Sequence, residues 1–255
     1  MATFKLLGTG NAAMCPVYGC GCKACSRALE DRHYRRNKTS ACLTINGKNL
    51  LIDANHHNLM DIFSKGDIDS ILLTHYHMDH VQSLFDLRWS VHNTINVYGP
   101  PDIKGCDDLF KHPGILNFDN FLEEYKPFYW EGIKITPLPM IHSKITYGYL
   151  FDSGKKKLAY LTDTLNLPTK VISFLKQNEI DFMILDCNFP PAVNQPRNHN
   201  NIDIAIDLDN KCKPKLFGIT HISHQLDCWL MDEQNYYTNK RRFVAYDEQE
   251  FFLND

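Results

Sequence analysis

One short segment limits the possible folds of this chain more than any other. The apolar residues 71–73 lead directly into Thr-His-Tyr-His-Met-Asp-His, so His75, His77, Asp79 and His80 follow an expected buried strand. Imidazole nitrogens and carboxylate oxygens are good ligands for Zn²⁺ and Mn²⁺. On a tight loop that leads into a helix, this spacing lets the four side chains serve two metals. A His-rich surface turn is the alternative, but a pattern this dense rarely arises by chance.

Three further ligand candidates stand in the same relation to strands downstream. His142, Asp163 and His221 each follow a run of strand character. Polar residues at strand ends gather at one rim of a sheet, where functional sites are normally built. We therefore assign two metals, the first to His75, His77 and His142 and the second to Asp79, His80 and His221, with Asp163 bridging both.

The rest of the chain alternates between strand-like and helix-like segments. Short runs rich in Ile, Leu, Val and aromatic residues predict strands at 4–7, 41–45, 49–52, 70–73, 95–98, 133–136, 148–151, 158–161, 182–185 and 215–219. Asn46-Gly47 between two of them is a strong hairpin signal. Helices are expected over 25–32, 81–90, 102–110, 168–178 and 202–209. Because neither a linker nor a repeat divides the sequence, we predict one domain over residues 1–255, built from two sheets flanked by helices.

Cysteine usage and charge narrow the class of protein. The sequence has nine Cys, a formal net charge of −3 and no apolar run long enough to cross a bilayer. An odd, clustered set of cysteines favours metal ligation over a disulfide framework. The charge gives no reason to expect nucleic acid as the main partner. We expect a cytoplasmic protein without a membrane partner.

Cys20, Cys22 and Cys25 form a cysteine-rich segment at 20–25 that suits a zinc knuckle. Structural zinc is almost always four-coordinate, so a fourth ligand is required. Cys15 and His33 are close in sequence, and His224 is available three residues beyond His221. Free or redox-active thiols are the competing interpretation of the cysteines.

The sequence resembles the metallo-β-lactamase superfamily and, within it, the phosphoribosyl cyclic phosphate phosphodiesterases of the carbon–phosphorus lyase pathway. The metal motif marks the superfamily, while the cysteine segment at 18–25 and Asp-Asp-Leu-Phe-Lys-His-Pro-Gly at 107–114 are far more specific. The resemblance implies an α/β fold, the αββα four-layer sandwich, with two catalytic metals, often manganese and alternatively zinc, and a separate structural zinc whose distal ligand matches His224. It also implies hydrolysis of 5-phosphoribosyl 1,2-cyclic phosphate to ribose 1,5-bisphosphate in phosphonate degradation.

Two metals about 3.5–4 Å apart can hold a bridging hydroxide that attacks phosphorus. The leaving alkoxide needs a proton, and His199 aligns with the family's catalytic histidine, so His199 and the ligand Asp79 are the expected catalytic residues. Asp53 is expected to support a ligand histidine from behind. His56-His57 is expected to be a solvated pair. His112 has no assigned role, and Lys144, Arg197 and Lys111 are unranked candidates for a substrate 5-phosphate.

Other functions stay open on the residues alone. A tRNA 3′-end endonuclease shares this metal set, but such enzymes carry a basic arm for tRNA that this sequence lacks. A thioester hydrolase of the same superfamily and a non-catalytic metal-stabilised module are further alternatives, and loss of a ligand would be expected in the module. The expected partner is a small cyclic phosphate without nucleic acid, and a homodimer remains open.

Overall fold

The computed structural model describes residues 1–91, 93–191 and 197–254, apart from the side chains of residues 234 and 235. Its strands are β1 (Ala2–Gly8), β2 (Ser40–Ile45), β3 (Lys48–Ile52), β4 (Ser70–Leu72), β5 (Ile95–Gly99), β6 (Leu116–Phe121), β7 (Phe128–Trp130), β8 (Ile133–Pro139), β9 (Tyr147–Asp152), β10 (Lys157–Leu161), β11 (Phe182–Asp186), β12 (Leu216–Thr220), β13 (Arg242–Val244) and β14 (Glu250–Phe252). Its helices are α1 (Lys23–Glu30), α2 (Leu59–Ile62), α3 (Met78–Val81), α4 (Leu84–Leu87), α5 (Asp107–Lys111), α6 (Thr169–Asn178), α7 (Ile202–Cys212) and α8 (His224–Tyr237), with a 3₁₀ turn at Arg32–Tyr34.

The strands form two seven-stranded sheets that pack face to face. The first has the order β14-β1-β2-β3-β4-β5-β6, and the second has the order β13-β12-β11-β10-β9-β8-β7. Between them, Phe4 of the first sheet contacts Phe151 and Tyr160 of the second at ring-centroid distances of 5.1 and 5.5 Å. Helices α2 to α5 cover the outer face of the first sheet, and α6 to α8 cover that of the second. This is the expected αββα sandwich.

Local sequence explains several of these elements. Asn46 and Gly47 have φ values of 51° and 83°, the left-handed values that a two-residue type I′ turn requires, and they join β2 to β3. The Asn201 side chain caps α7 by accepting from the Ile204 N–H at 2.9 Å. None of the helices in the described ranges combines the length and apolar character needed to cross a membrane.

Strand direction gathers the candidate ligands at one edge. The strands β3, β4 and β5 are parallel to one another, as are β10, β11 and β12. Strand β8 also runs parallel to β10, since both are antiparallel to β9. The carboxyl ends of β3 and β4 in one sheet, and of β8, β10, β11 and β12 in the other, therefore carry the site.

Some predicted boundaries are wrong. Residues 81–90 form no continuous helix: α3 and α4 are single turns, and Ser83 between them turns its hydroxyl to the His56 carbonyl at 3.0 Å. The helix expected over 102–110 is only α5, since Pro100 and Pro101 precede it and residues 103–106 form turns. Strands β6, β7, β13 and β14 and helix α8 were not predicted.

Candidate metal centre

Three histidines converge where β4 and β8 end. His75 Nε2 lies 2.8 Å from His77 Nδ1, and His142 Nε2 lies 3.1 Å from the same nitrogen. Two nitrogens that share a tetrahedral zinc at bond lengths of about 2.0–2.1 Å would be roughly 3.3 Å apart. Burial lowers the pKa of all three imidazoles, which favours the neutral form that ligates metals. The first group of predicted ligands is thus close together in space.

The second group forms around α3. Asp79, His80 and His221 each bring one nitrogen or oxygen atom to within 4.8 Å of the others. His80 Nε2 lies 3.5 Å from Asp79 Oδ2. His221 follows the carboxyl end of β12, so this group joins one residue of the second sheet to two of the first.

Asp163 lies between the two groups. Its Oδ1 is 3.9 Å from His142 Nε2 and 3.5 Å from His221 Nε2, and its Oδ2 is 3.3 Å from His80 Nε2. Burial raises the pKa of this carboxyl, but the neighbouring His221 and His80 outweigh burial and hold the pKa well below its ordinary value. A single carboxylate therefore contacts both groups, as a bridging ligand must.

Asp53 supports the centre from behind. It is fully buried, and its Oδ2 lies 2.8 Å from His80 Nδ1 while its Oδ1 accepts from the Thr74 N–H at 2.8 Å. A carboxylate bonded to one ring nitrogen fixes the imidazole and leaves the other nitrogen for a metal. The predicted supporting role of Asp53 is confirmed.

Three residues of the centre leave their strands in a left-handed backbone conformation. The φ values are 59° at Asp53, 58° at Asp163 and 61° at His221. Such values cost non-glycine residues of order 1 kcal/mol or more, although Asp and His tolerate them better than most residues. The sharp turn at each of these strand ends directs the side chain toward the common centre.

His199 stands beside the ligands and is held by a residue that sequence analysis missed. His199 Nδ1 lies 2.7 Å from Asp186 Oδ2, and its ring stacks on His221 at a centroid distance of 4.4 Å. Burial lowers the pKa of His199, but the Asp186 carboxylate outweighs burial and raises the pKa to about 9. Asp186 ends β11, so the strand-end rule that found Asp163 could also have found it. Pro196, three residues before His199, lies outside the described residues.

The cysteine segment meets α8 away from these ligands. His224 Nδ1 lies 3.3, 3.4 and 3.7 Å from the sulfurs of Cys20, Cys22 and Cys25. A tetrahedral zinc with Zn–S and Zn–N bonds of about 2.3 and 2.0 Å separates such atoms by roughly 3.5 Å. Burial raises the pKa of the Cys22 thiol, but hydrogen bonds with Cys25 and His224 outweigh burial and bring it to about 6. These four side chains fit one zinc ion.

The two other candidates for the fourth ligand fit the site less well than His224. His33 is exposed, and its ring packs edge-on against Tyr34 at 5.4 Å. Cys15 is buried beside Cys25, but the set of side chains whose ligand atoms lie within 4.8 Å of one another contains His224 instead. The geometry therefore favours His224.

The comparisons with known proteins agree with this geometry. Residues 49–222, which span β3 to just beyond β12 and contain all seven candidate ligands, match the family model described as the beta-lactamase superfamily domain. The chain belongs to the β-lactamase superfamily. The αββα sandwich with His/Asp clusters at its edge is the fold of this superfamily, and that fold implies divalent-metal binding.

Two curated relatives of this chain differ in the activities that their names state. The chain is 29% identical over 236 residues to an octanoyltransferase of Porphyromonas gingivalis, covering 86% of this chain and 45% of that protein. It is 28% identical over 147 residues to a ribonuclease Z of Clostridium acetobutylicum, covering 48% and 46% of the two proteins. The chain thus spans less than half the length of the curated relatives it matches.

Among solved structures of the superfamily, a diphosphatase described as a new member of the PhnP family is similar over nearly the whole length. The TM-score is 0.81 at 27% identity, and the match covers 98% of this chain and 96% of that one. The short form of human tRNase Z has a TM-score of 0.67 at 17% identity and covers 99% and 100% of the two chains, which shows a shared fold alone.

The remaining residues singled out by the sequence analysis differ in exposure and in their contacts. His56 is 7% exposed and accepts from the Asn58 N–H through Nδ1 at 3.1 Å, so the prediction of a solvated pair is wrong for His56 and holds only for the exposed His57. His112 is exposed, and its carbonyl accepts from Arg88 at 3.3 Å. Lys111 pairs with Asp107 on α5, Lys144 lies 3.9 Å from Asp102, and Arg197 is exposed two residues before His199.

Proposed function

We propose that this protein is a metal-dependent phosphodiesterase that opens cyclic phosphates, with 5-phosphoribosyl 1,2-cyclic phosphate as the substrate and ribose 1,5-bisphosphate as the product. The observation that carries the proposal is the position of His199, held by Asp186 beside two ligand groups joined through Asp163. The likeness to a PhnP-family diphosphatase over 98% of the chain supports it. A role in phosphonate degradation and a cytoplasmic location, with neither nucleic acid nor membrane as partner, belong to the same proposal.

The proposed cofactors are two catalytic divalent ions, Mn²⁺ or alternatively Zn²⁺, and one structural Zn²⁺ at the cysteine segment. The donor sets differ accordingly, since imidazole and carboxylate suit Mn²⁺ and Zn²⁺, whereas three thiols with one imidazole suit zinc. When bound, the catalytic pair would activate water and neutralise charge that develops on the phosphate oxygens. Seven side chains would hold that pair: His75, His77, Asp79, His80, His142, Asp163 and His221.

The chain itself supplies the proton. His199 donates through Nδ1 to the Asp186 carboxylate, and this bond fixes the ring and leaves Nε2 as the nitrogen free to hold a transferable proton. His142, Asp163 and His199 bring one ligand atom each to within 4.8 Å of one another, so the imidazole borders the space where the phosphate would react. His199 would then protonate the oxygen that leaves phosphorus as the ring opens.

Replacing His199 with Ala is expected to lower kcat by roughly 10²–10⁴-fold for a 2′,3′-cyclic nucleotide, whose leaving alkoxide needs a proton. For bis(p-nitrophenyl) phosphate the loss should be much smaller, because p-nitrophenoxide leaves without one. Metal content measured by plasma mass spectrometry should stay unchanged. The exposed His112→Ala variant is the matched control. Equal losses for both substrates would contradict the proton-transfer role.

Asp186→Asn tests Asp186 as a positioning residue. The amide keeps the shape but weakens the hold on the His199 ring, so we expect kcat for the cyclic nucleotide to fall roughly 10–100-fold, the size of loss typical for carboxylates that hold metal-bound histidines. The double variant with His199→Ala should be no slower than His199→Ala alone, because both changes act on one proton. Additive losses in this cycle would show that Asp186 acts elsewhere.

Turnover of three substrates by metal-defined protein tests the proposed activity. We expect hydrolysis of 5-phosphoribosyl 1,2-cyclic phosphate and, more slowly, of 2′,3′-cyclic AMP, with little processing of a tRNA precursor. The second candidate is a tRNA 3′-end endonuclease, which the 28% identity to a ribonuclease Z over 147 residues favours. The net charge of −3 opposes it. Preferential cleavage of the tRNA precursor would replace our proposal with this one.

A further inference from the structure

Two neighbouring cavities lie where residues 32–36 meet the chain around Tyr246. Their volumes are about 310 and 520 Å³, and both are lined by His33, Arg35, Arg36 and Tyr246. Each volume lies within the range of about 300–1,000 Å³ that is typical of small-molecule sites. Neither cavity is lined by the seven candidate ligands of the catalytic pair or by Cys20, Cys22, Cys25 or His224, so the cavities are separate from both ligand groups.

One part of the wall of the smaller cavity is apolar and aromatic. Leu230, Met231 and Val244 line it together with the rings of Tyr34 and Tyr246. Tyr246 is 48% exposed, and Tyr34 is 39% exposed although the Arg27 guanidinium lies 4.0 Å over one face of its ring, so Tyr246 offers the more accessible aromatic surface. Half-exposed aromatic rings beside apolar side chains are a surface on which a planar heterocycle stacks.

The larger cavity has surplus positive charge. Arg32, Arg35 and the exposed His57 line it, and in the described ranges neither arginine forms an ion pair with a carboxylate. The carboxylates of its wall are already engaged. Glu248 pairs with Lys5, and Asp247 accepts from the Thr9 hydroxyl and the Asn37 N–H at 2.7 Å each. Arg35 Nε donates to the Ala28 carbonyl at 3.1 Å, which leaves the terminal nitrogens of Arg35 and the Arg32 guanidinium to meet an anion.

Hydrogen bonds connect the wall of the larger cavity to the loop that carries Asp79 and His80. Its wall includes residues 56–58, and this segment is anchored on both sides. Asn55 donates to the Asp79 carbonyl at 2.8 Å, and Ser83 donates to the His56 carbonyl at 3.0 Å. A ligand in the cavity would therefore lie against the segment that follows Asp53 at the site edge of the first sheet.

We propose that these two cavities form a nucleotide-binding site, with a base on the Tyr34 and Tyr246 side and a phosphate at Arg32 and Arg35. The site holds the part of a phosphodiester substrate that extends beyond the reacting phosphate. This inference rests on the proposed phosphodiesterase function and deepens it, because it extends the substrates to nucleotides with a second phosphate. Guanidinium groups suit such a phosphate because they present paired donors.

Binding of 5′-AMP and of adenosine, measured by calorimetry on the metal-loaded protein, tests the site without any hydrolysis. Arg32→Ala/Arg35→Ala should weaken 5′-AMP binding by about tenfold or more, since each arginine would contribute a charge-assisted hydrogen bond, and should leave adenosine binding unchanged. Tyr246→Ala should weaken both ligands. Lys176→Ala/Lys240→Ala, which removes two exposed charges outside both cavities, is the matched control and should change neither affinity. Equal 5′-AMP affinity in the arginine and lysine double variants would overturn the proposal.

A kinetic measurement links the site to the metal centre. We compare kcat/KM for a dinucleotide that ends in a 2′,3′-cyclic phosphate with kcat/KM for 2′,3′-cyclic AMP. The ratio of the two should fall about tenfold in Arg32→Ala/Arg35→Ala and stay constant in the lysine control. An unchanged ratio would overturn the link to substrate even if 5′-AMP binds. Failure of the phosphodiesterase proposal is distinguishable, because neither cyclic substrate would then be hydrolysed by the unaltered protein.

Discussion

Replacing Asp163 with Ala is expected to abolish hydrolysis of both cyclic and p-nitrophenyl phosphodiesters. Asp163 is the carboxylate that contacts His80, His142 and His221, so its loss removes the proposed ligand of both metals at once. It also removes the negative charge that offsets the clustered histidines when a dication binds. Since a metal-ion pair contributes several kcal/mol to transition-state stabilisation, we expect kcat to fall by about 10³-fold or more.

Metal content and turnover, measured on the same preparation, check this prediction. Mn²⁺ or Zn²⁺ bound per chain should fall along with activity, while circular dichroism should still report a folded protein. Asp119→Ala is a suitable control, because Asp119 is an exposed residue of β6 on another part of the first sheet. Near-normal turnover by Asp163→Ala would show that this carboxylate bridges nothing.

His224→Ala is expected to have the next largest effect, on stability and metal binding together. A zinc present at about 100–1,000 times its dissociation constant contributes roughly 3–4 kcal/mol to the free energy of unfolding. For a protein of this size, losing that contribution lowers Tm by roughly 6–16 °C. His221 stands three residues before His224, so the same variant should also weaken binding of the catalytic metals.

One tightly held zinc per chain should survive mild chelation that removes the catalytic ions, and His224→Ala should lose it. Parallel His33→Ala and Cys15→Ser variants test the other two candidate ligands, and we expect the zinc to stay bound in both. If His224→Ala keeps its zinc while one of these loses it, the fourth ligand moves there. The proposed coupling between the zinc at the cysteine segment and the position of His221 would then be wrong.

The sequence predicts the site better than it predicts the helices, and strand geometry explains why. Asp163 and His221 were recognisable because parallel strands end at a common edge, which makes the residue after each strand a site candidate. The same reasoning applied to β11 would have found Asp186. Its role stayed hidden because its contact with His199 depends on how the following loop folds back, which no local pattern encodes.

Other differences arise from tertiary contacts that override local preference. Residues 81–90 have apolar residues at helical spacing. The helix is nevertheless interrupted at Ser83, whose hydroxyl donates to the His56 carbonyl. His56 appeared polar and solvated, but the same contact draws it under the metal-ligand loop, where it is 7% exposed. Helix α8 was not predicted because its sequence is polar. A long-range contact stabilises it: Asp227 of this helix accepts from Arg36, a residue distant in sequence, at 3.2 Å.

The separation of the cysteines from His224 along the chain has a consequence for how the protein is made. Cys20 and His224 are 204 residues apart, although their side chains lie 3.3 Å from each other once folded. At about 5–20 residues per second, the ribosome releases the imidazole roughly 10–40 s after the thiols. During that interval the nascent chain offers three cysteines without their fourth partner. Zinc loading would therefore be one of the last events of biogenesis, and cells short of zinc or under oxidative stress would accumulate this protein with its amino-terminal thiols open to oxidation.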